Sequence, residues 1–158
     1  MAMVMKSEGL DELGALLNTL GEKAQGIASK GLYEGAGKMA DEIKKGAAGI
    51  SSQKFHYAVF IQREVSDEEK AIVQDGCGIS RFRKDGNGAN TSVGYGNAGY
   101  AMLNGKRKPI PLIANAINSG TSFLKKQPFF RKAVTTGTPK AETAIIEKIE
   151  AEIDSISK

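Results

Sequence analysis

The chain has 158 residues, 41% of them apolar and 25% charged, with a net charge of +4. That balance excludes a disordered tail, and +4 is mild beside nucleic-acid domains, which concentrate more positive charge. One cysteine, Cys77, excludes an intrachain disulfide, and no apolar run approaches the roughly 20 residues of a membrane span.

The length suits a single domain over 1–158. The opening "MAMVMKSEG" is too short and polar for a signal peptide, so cytoplasmic synthesis without a membrane is expected. Residues 1–9 read as a short strand or an arm. From Leu10, apolar residues at Leu13, Leu16, Leu17 and Leu20 keep helical spacing, and Gly21 is expected to stop or bend the helix. A second helix is expected over about 22–45. Its face mixes Ile27, Leu32, Met39 and Ile43 with Ala28, Gly31, Gly35 and Ala36. Small residues let another backbone approach, so that face reads as packing on a sheet or, as a sharper alternative, on a neighbouring subunit.

Phe55 to Arg63 is rich in β-branched and aromatic residues and reads as a strand, with a helix as the alternative. Ser66 and Glu69 have capping-box spacing and predict a short helix to about Gln74. Asp85-Gly86 and Asn87-Gly88 lie between candidate strands Ile79–Arg83 and Ala89–Tyr95, which reads as a hairpin or a long loop. With Gly94, Gly96 and Gly99 beyond, 76–108 is expected to be a glycine-rich mobile region. Asn104 to Pro109 reads as a basic turn. An apolar helix follows over Ile110–Ile117, then an Asn-Ser-Gly-Thr turn and the basic link Lys125-Lys126. Pro128 suits the start of a helix, where a missing N–H costs nothing. Thr138 and Pro139 read as the cap and first residue of a final helix over 140–156, with Ala141, Ile145, Ile149, Ile153 and Ile156 on one side.

Catalytic chemistry is not needed to explain any of this. The lone histidine, His56, reads as a packed or surface residue, and structural zinc needs four ligands that one His and one Cys cannot supply. "DGNGANTSVGYG" lacks the Gly-Lys-Ser/Thr ending of a phosphate loop. No enzyme, metal or cofactor is expected. Three basic clusters remain: Arg81, Arg83 and Lys84; Lys106, Arg107 and Lys108; and Lys125, Lys126, Arg131 and Lys132. They read as solvated loops, as a sequence-independent, salt-sensitive nucleic-acid contact, or as groups that meet an acidic face of a neighbouring assembly. The fold class expected is α+β, with long N-terminal helices and a C-terminal helix packed on a small, mostly antiparallel sheet.

The segments "IANAINSGTS" and "QPFFRKAV" carry a resemblance. Gly120, Thr121, Pro128, Phe129, Phe130, Arg131 and Ala133, before an amphipathic helix, are similar to the C-terminal signature of the HK-ninety-seven gene-product-ten-like family of tailed-phage neck proteins. The N-terminal helical half also resembles that family, so about two thirds of the chain is covered. The middle departs from it: the family's Pro-x-x-Thr-Gly-Arg/Lys-Leu motif is replaced by "GAAGISSQKFHYAVFIQREVSDEEK". The resemblance implies a bacteriophage or prophage virion protein of the neck, made in the host cytoplasm, that completes the tail and joins it to the head. It implies a ring homo-oligomer as connector, touching the tail tube or terminator and the head-closure proteins, with non-specific contact to DNA in the lumen. Within it, Phe129 and Phe130 would pin the last helix and Arg131 would face a partner carboxylate or a helix end. A basic DNA-binding or DNA-packaging accessory protein is the alternative.

Overall fold

The computed structural model describes residues 10–52, 63–85, 88–96 and 98–156. In chain order the elements are α1 (Leu10–Ala48), α2 (Asp67–Asp75), β1 (Gly78–Ile79), β2 (Arg83–Asp85), β3 (Gly88–Asn90), β4 (Val93–Gly94), β5 (Tyr100–Leu103), β6 (Lys106–Pro109), α3 (Ile110–Ser119) and α4 (Phe129–Ile156). This is an α+β chain with a long N-terminal and a long C-terminal helix.

The two N-terminal helices expected are one helix of 39 residues, about 58 Å long at 1.5 Å per residue. Gly21 neither stops nor bends it into two. A single glycine weakens a helix by only about 1 kcal/mol, and α1 is anchored against α4 from Gly31 onward. The separate C-terminal helix is likewise absorbed into α4, which runs 28 residues through Pro139. Thr138 does not cap. Its Oγ1 donates back to Val134 O at 2.8 Å, as Thr135 does to Arg131 O. Pro139 faces solvent, while Ala133, Gly137, Ala141 and Ala144 are buried along the other side.

α1 and α4 run antiparallel. Gly31 lies against Ile149, Gly35 against Ile145, Met39 against Gly137 and Gly46 against Ala133. A Cβ on Gly31 would stand 2.8 Å from Ile149 Cγ1, and one on Gly35 would run into Ile145 Cγ1 and come 2.9 Å from Ala141 O. So the small-residue face of α1 admits a helix of its own chain. At Gly31 and Gly35 it is therefore not a sheet face. Two ion pairs flank the seam, Lys30–Glu152 and Lys140–Glu42, each 2.6 Å.

The strands form three two-stranded antiparallel pieces in place of one sheet. β1–β4 and β2–β3 are successive rungs of one hairpin, which settles the choice between hairpin and loop. Ser80 and Ser92 carry the ladder across the gap: Ser80 N donates to Ser92 O and Ser92 N to Ser80 Oγ, both 2.8 Å. The Gly86-Asn87 tip lies outside the described residues, as do His56, residues 1–9 and all of the expected 55–63 strand except Arg63. The expected basic turn at Asn104–Pro109 is mostly strand. Asn104 and Gly105 have φ of 51° and 71°, the two positive angles of a type I′ turn, and they join β5 to β6.

The core gathers where α1 ends. Ile43, Ala47, Val65, Val73 and Ile117 are fully buried, with Ile113, Leu103 and Phe129 around them. This end is called the head below, and the α1–α4 pair that extends from it the arm.

Candidate interaction surface

The Gly120–Arg131 segment is a junction that ties four parts of the chain together. Gly120 has φ 76°, and a Cβ there would lie 2.9 Å from Lys126 Cβ, so the chain doubles back only with glycine. Thr121 Oγ1 then accepts from Phe123 N at 3.2 Å and Leu124 N at 3.0 Å. That tight turn buries Leu124 and leaves Phe123 78% exposed. Beyond it Arg63 N donates to Phe123 O and Lys125 N to Arg63 O, which attaches Arg63 to the turn. Gln127 reaches the end of α1: its Oε1 accepts from Ser51 N and its Nε2 donates to Ser51 O, both 2.8 Å. Phe130 N donates to Asn118 Oδ1 of α3.

Phe129 is buried and Phe130 half-buried, and together with Tyr95 they form a cluster with ring centroids 6.1 to 6.4 Å apart. Such edge contacts add roughly 0.5–1.5 kcal/mol per pair beyond simple burial. Tyr95 comes from the end of β4, a partner that the periodicity of its own segment did not flag. Its hydroxyl is buried without a hydrogen-bond partner among the described residues. Burial, with Cys77 nearby, pushes the phenol well up. Burial likewise pushes the Cys77 thiol up, against the opposing charge of Lys44, so it is a core group rather than a nucleophile. Among the described residues no three of His, Cys, Asp and Glu are placed to hold a metal.

One charged pair belongs to the framework. Arg63 grips Glu69 through two bonds, Nη1 to Oε2 at 2.6 Å and Nη2 to Oε1 at 2.7 Å. Glu69 also completes the capping box with Ser66. Burial of Glu69 favours its neutral form, but the bonds from Arg63 and Ser66 outweigh that and hold its carboxyl below the usual range. The Ser66–Glu69 spacing was legible; Arg63 as its partner was not.

Two of the basic clusters sit on the head, and the third lies beside the middle of α1. Arg81, Arg83 and Lys84 are exposed on the first hairpin, whose middle is tied to α1 by Phe82 N donating to the Tyr33 hydroxyl at 2.7 Å. Lys106 and Arg107 are exposed on the β5–β6 hairpin and Lys108 is half-buried there; the Arg107 guanidinium lies 4.4 Å over the Tyr100 ring. Tyr100 and Met102 point outward from the same hairpin, 59% and 58% exposed. Lys126 and Lys132 line a cleft of about 550 Å³ between the end of α1 and the start of α4, with Lys45 on the far side. Exposed Arg131 and Lys132 occupy the first turn of α4, which holds no acid. Cations there oppose the helix dipole by roughly 0.3–1 kcal/mol each. No acidic side chain among the described residues pairs with Arg131.

The arm tip is the opposite. Along 142–156, α4 carries Glu142, Glu147, Glu150, Glu152 and Asp154 against Lys148 alone. Glu152 is hydrogen-bonded by Lys30 and Lys148, which lower its pKa. Between the helices an apolar groove of about 300 Å³ opens, lined by Leu20, Ala24, Ile27, Ala28, Ile149 and Ile153. Leu17 beside it is 59% exposed.

Comparison of the chain with protein-family models, with curated proteins and with solved structures finds no match.

Proposed function

We propose that this chain is a structural subunit of a tailed-phage or prophage neck, completing the tail and joining it to the head as part of a ring. The reading rests on the sequence resemblance and is supported by one observation above others. The chain carries apolar side chains and unpaired charges of opposite sign at two separated places, the head and the arm tip. Such surfaces suit a subunit that is completed by neighbours. Within this reading the work is binding without turnover. Its neighbours are further copies of itself, the tail tube or terminator on one side and the head-closure proteins on the other.

The junction motif serves that role by fixing where α4 leaves the head. Gly120 and Thr121 set the turn, Phe129 and Phe130 hold the first turn of α4 to the core, and Arg131 is left outward for an acidic partner. Electron microscopy of particles carrying a gold-labelled tag on this chain is the test. Label at the head–tail junction is expected; particles without label, or with label elsewhere, overturn the assignment.

The second reading, a DNA-binding accessory protein, draws on Arg81, Arg83 and Lys84, which are exposed and pair with no acid among the described residues. It predicts duplex binding that weakens steeply with salt. Duplex affinity absent even at low salt removes it.

A further inference from the structure

Resting on the ring reading, we infer that the acidic outer face of α4 of one copy docks on the lysine-rimmed cleft at the head of the next, with Ile146 as the side chain that enters it. The cleft lies between the end of α1 and the start of α4 and has a volume of about 550 Å³. Lys45, Lys126 and Lys132 reach it from three parts of the chain: the last turn of α1, the link before α4 and the first turn of α4. All three are exposed and pair with no acid among the described residues. Glu42, the acid in the lining, is already held by Lys140 at 2.6 Å. Between the lysines the wall is made by Gly46, Pro128 and Ala133. An apolar wall with three unanswered cations fits an apolar side chain flanked by carboxylates.

The solvent side of α4 carries that pattern. Glu142, Ile146 and Glu150 follow at i, i+4 and i+8 on one helix face, which sets the two carboxylates about 12 Å apart along the axis. The face turns away from α1, which meets Ala141, Ile145 and Ile149 instead. Ile146 is 56% exposed, and both glutamates are exposed and pair with no base among the described residues. Tyr100 and Met102 are as exposed, but they stand beside Arg107 and would bring like charge to the lysines. A phosphate backbone would answer the lysines and leave the apolar wall uncovered. The contact cannot form within one chain, because Lys132 and Ile146 stand on the same continuous helix, about 21 Å apart. It therefore joins two different patches of two copies, and such a heterologous contact gives a ring when its rotation closes.

The test uses the full chain with a photo-crosslinking amino acid in place of Ile146, mixed with an isotope-labelled copy. Crosslinked peptides that join the two chains at residues 45–50 or 126–136 are expected. A stable oligomer whose crosslinks fall elsewhere overturns the docking and leaves the ring reading standing. A monomer at every concentration overturns both. Charge reversal gives a second, independent measurement. Glu142→Lys with Glu150→Lys, or Lys126→Glu with Lys132→Glu, should each weaken self-association at least about tenfold, and mixing the two variants should restore it. Weakening without restoration, or no weakening, contradicts the pairing of these two surfaces. A lysine variant that loses duplex binding while it still self-associates assigns the cleft to nucleic acid and overturns the docking.

Discussion

The two ends of the α1–α4 pair are made from the same helices and end differently. At the head, Ala40, Ile43 and Ala47 of α1 are buried against α2 and the start of α4, in one core with Ile113 and Ile117 of α3. At the tip, among the described residues, the same two helices pack on each other alone. Leu17 is exposed and the groove by Ile149 and Ile153 stays open. Two packed helices bury one stripe each, whereas amphipathic helices in a domain usually bury a wider face. The difference teaches that the core which stabilises the chain lies at the head, while among the described residues the tip buries less of its apolar surface.

Substitutions can break that contrast, and the largest effect is expected where the helices press closest. Gly35→Val should lower stability by about 3 kcal/mol, because both Ile145 and the Ala141 carbonyl occupy the space. Chemical denaturation followed by circular dichroism measures it; an unchanged midpoint would mean that the helices do not meet there. Glu69→Gln should cost about 2 kcal/mol. Arg63 keeps a third of its side chain in solvent, which screens the pair and moderates the loss.

The same carboxylate gives a pH dependence. Its folded pKa is lowered, so its stabilisation is complete above the unfolded value near 4.5 and disappears as pH falls through the folded pKa. Stability measured from pH 6 downward should therefore fall less steeply in Glu69→Gln than in the parent chain.

Towards the tip the signs change. A Cβ on Gly21 meets nothing within 4 Å, so Gly21→Ala should raise stability by up to about 1 kcal/mol, seen as a higher thermal midpoint. Ile153→Ser, at the groove, should shift the unfolding midpoint of the isolated chain by less than about 0.5 kcal/mol. A larger loss there would show that the groove is part of the core.

Legibility followed how local each signal is. The capping box at Ser66 and Glu69 needs only neighbours in sequence, and the helix it predicts is there. The turn at Gly120-Thr121 and the start of α4 after Pro128 are local in the same way. Gly21 and Pro139 misled for the opposite reason. As local signals both break helices, yet α4 continues past Pro139 with α1, about 100 residues away in sequence, packed on its other side, and α1 continues past Gly21 as part of one long helix held further along by α4. The β5–β6 hairpin was readable by the rule that identified the first one, since Asn104-Gly105 is a strong turn pair. Lys106-Arg107-Lys108 does not look like a strand, and its cationic character drew the reading towards a turn. Of the candidate surface, the basic residues and Phe129-Phe130 were visible in sequence. Tyr95, the exposed Phe123 and the apolar groove at the tip required the fold, because each depends on which segments meet.

Self-assembly through opposed surfaces is tested most directly by sedimentation velocity of the full chain across protein concentration and salt. A discrete oligomer at low salt that dissociates as salt rises is the predicted result, since the proposed assembly would bring surfaces of opposite charge together. A monomer under every condition would contradict it.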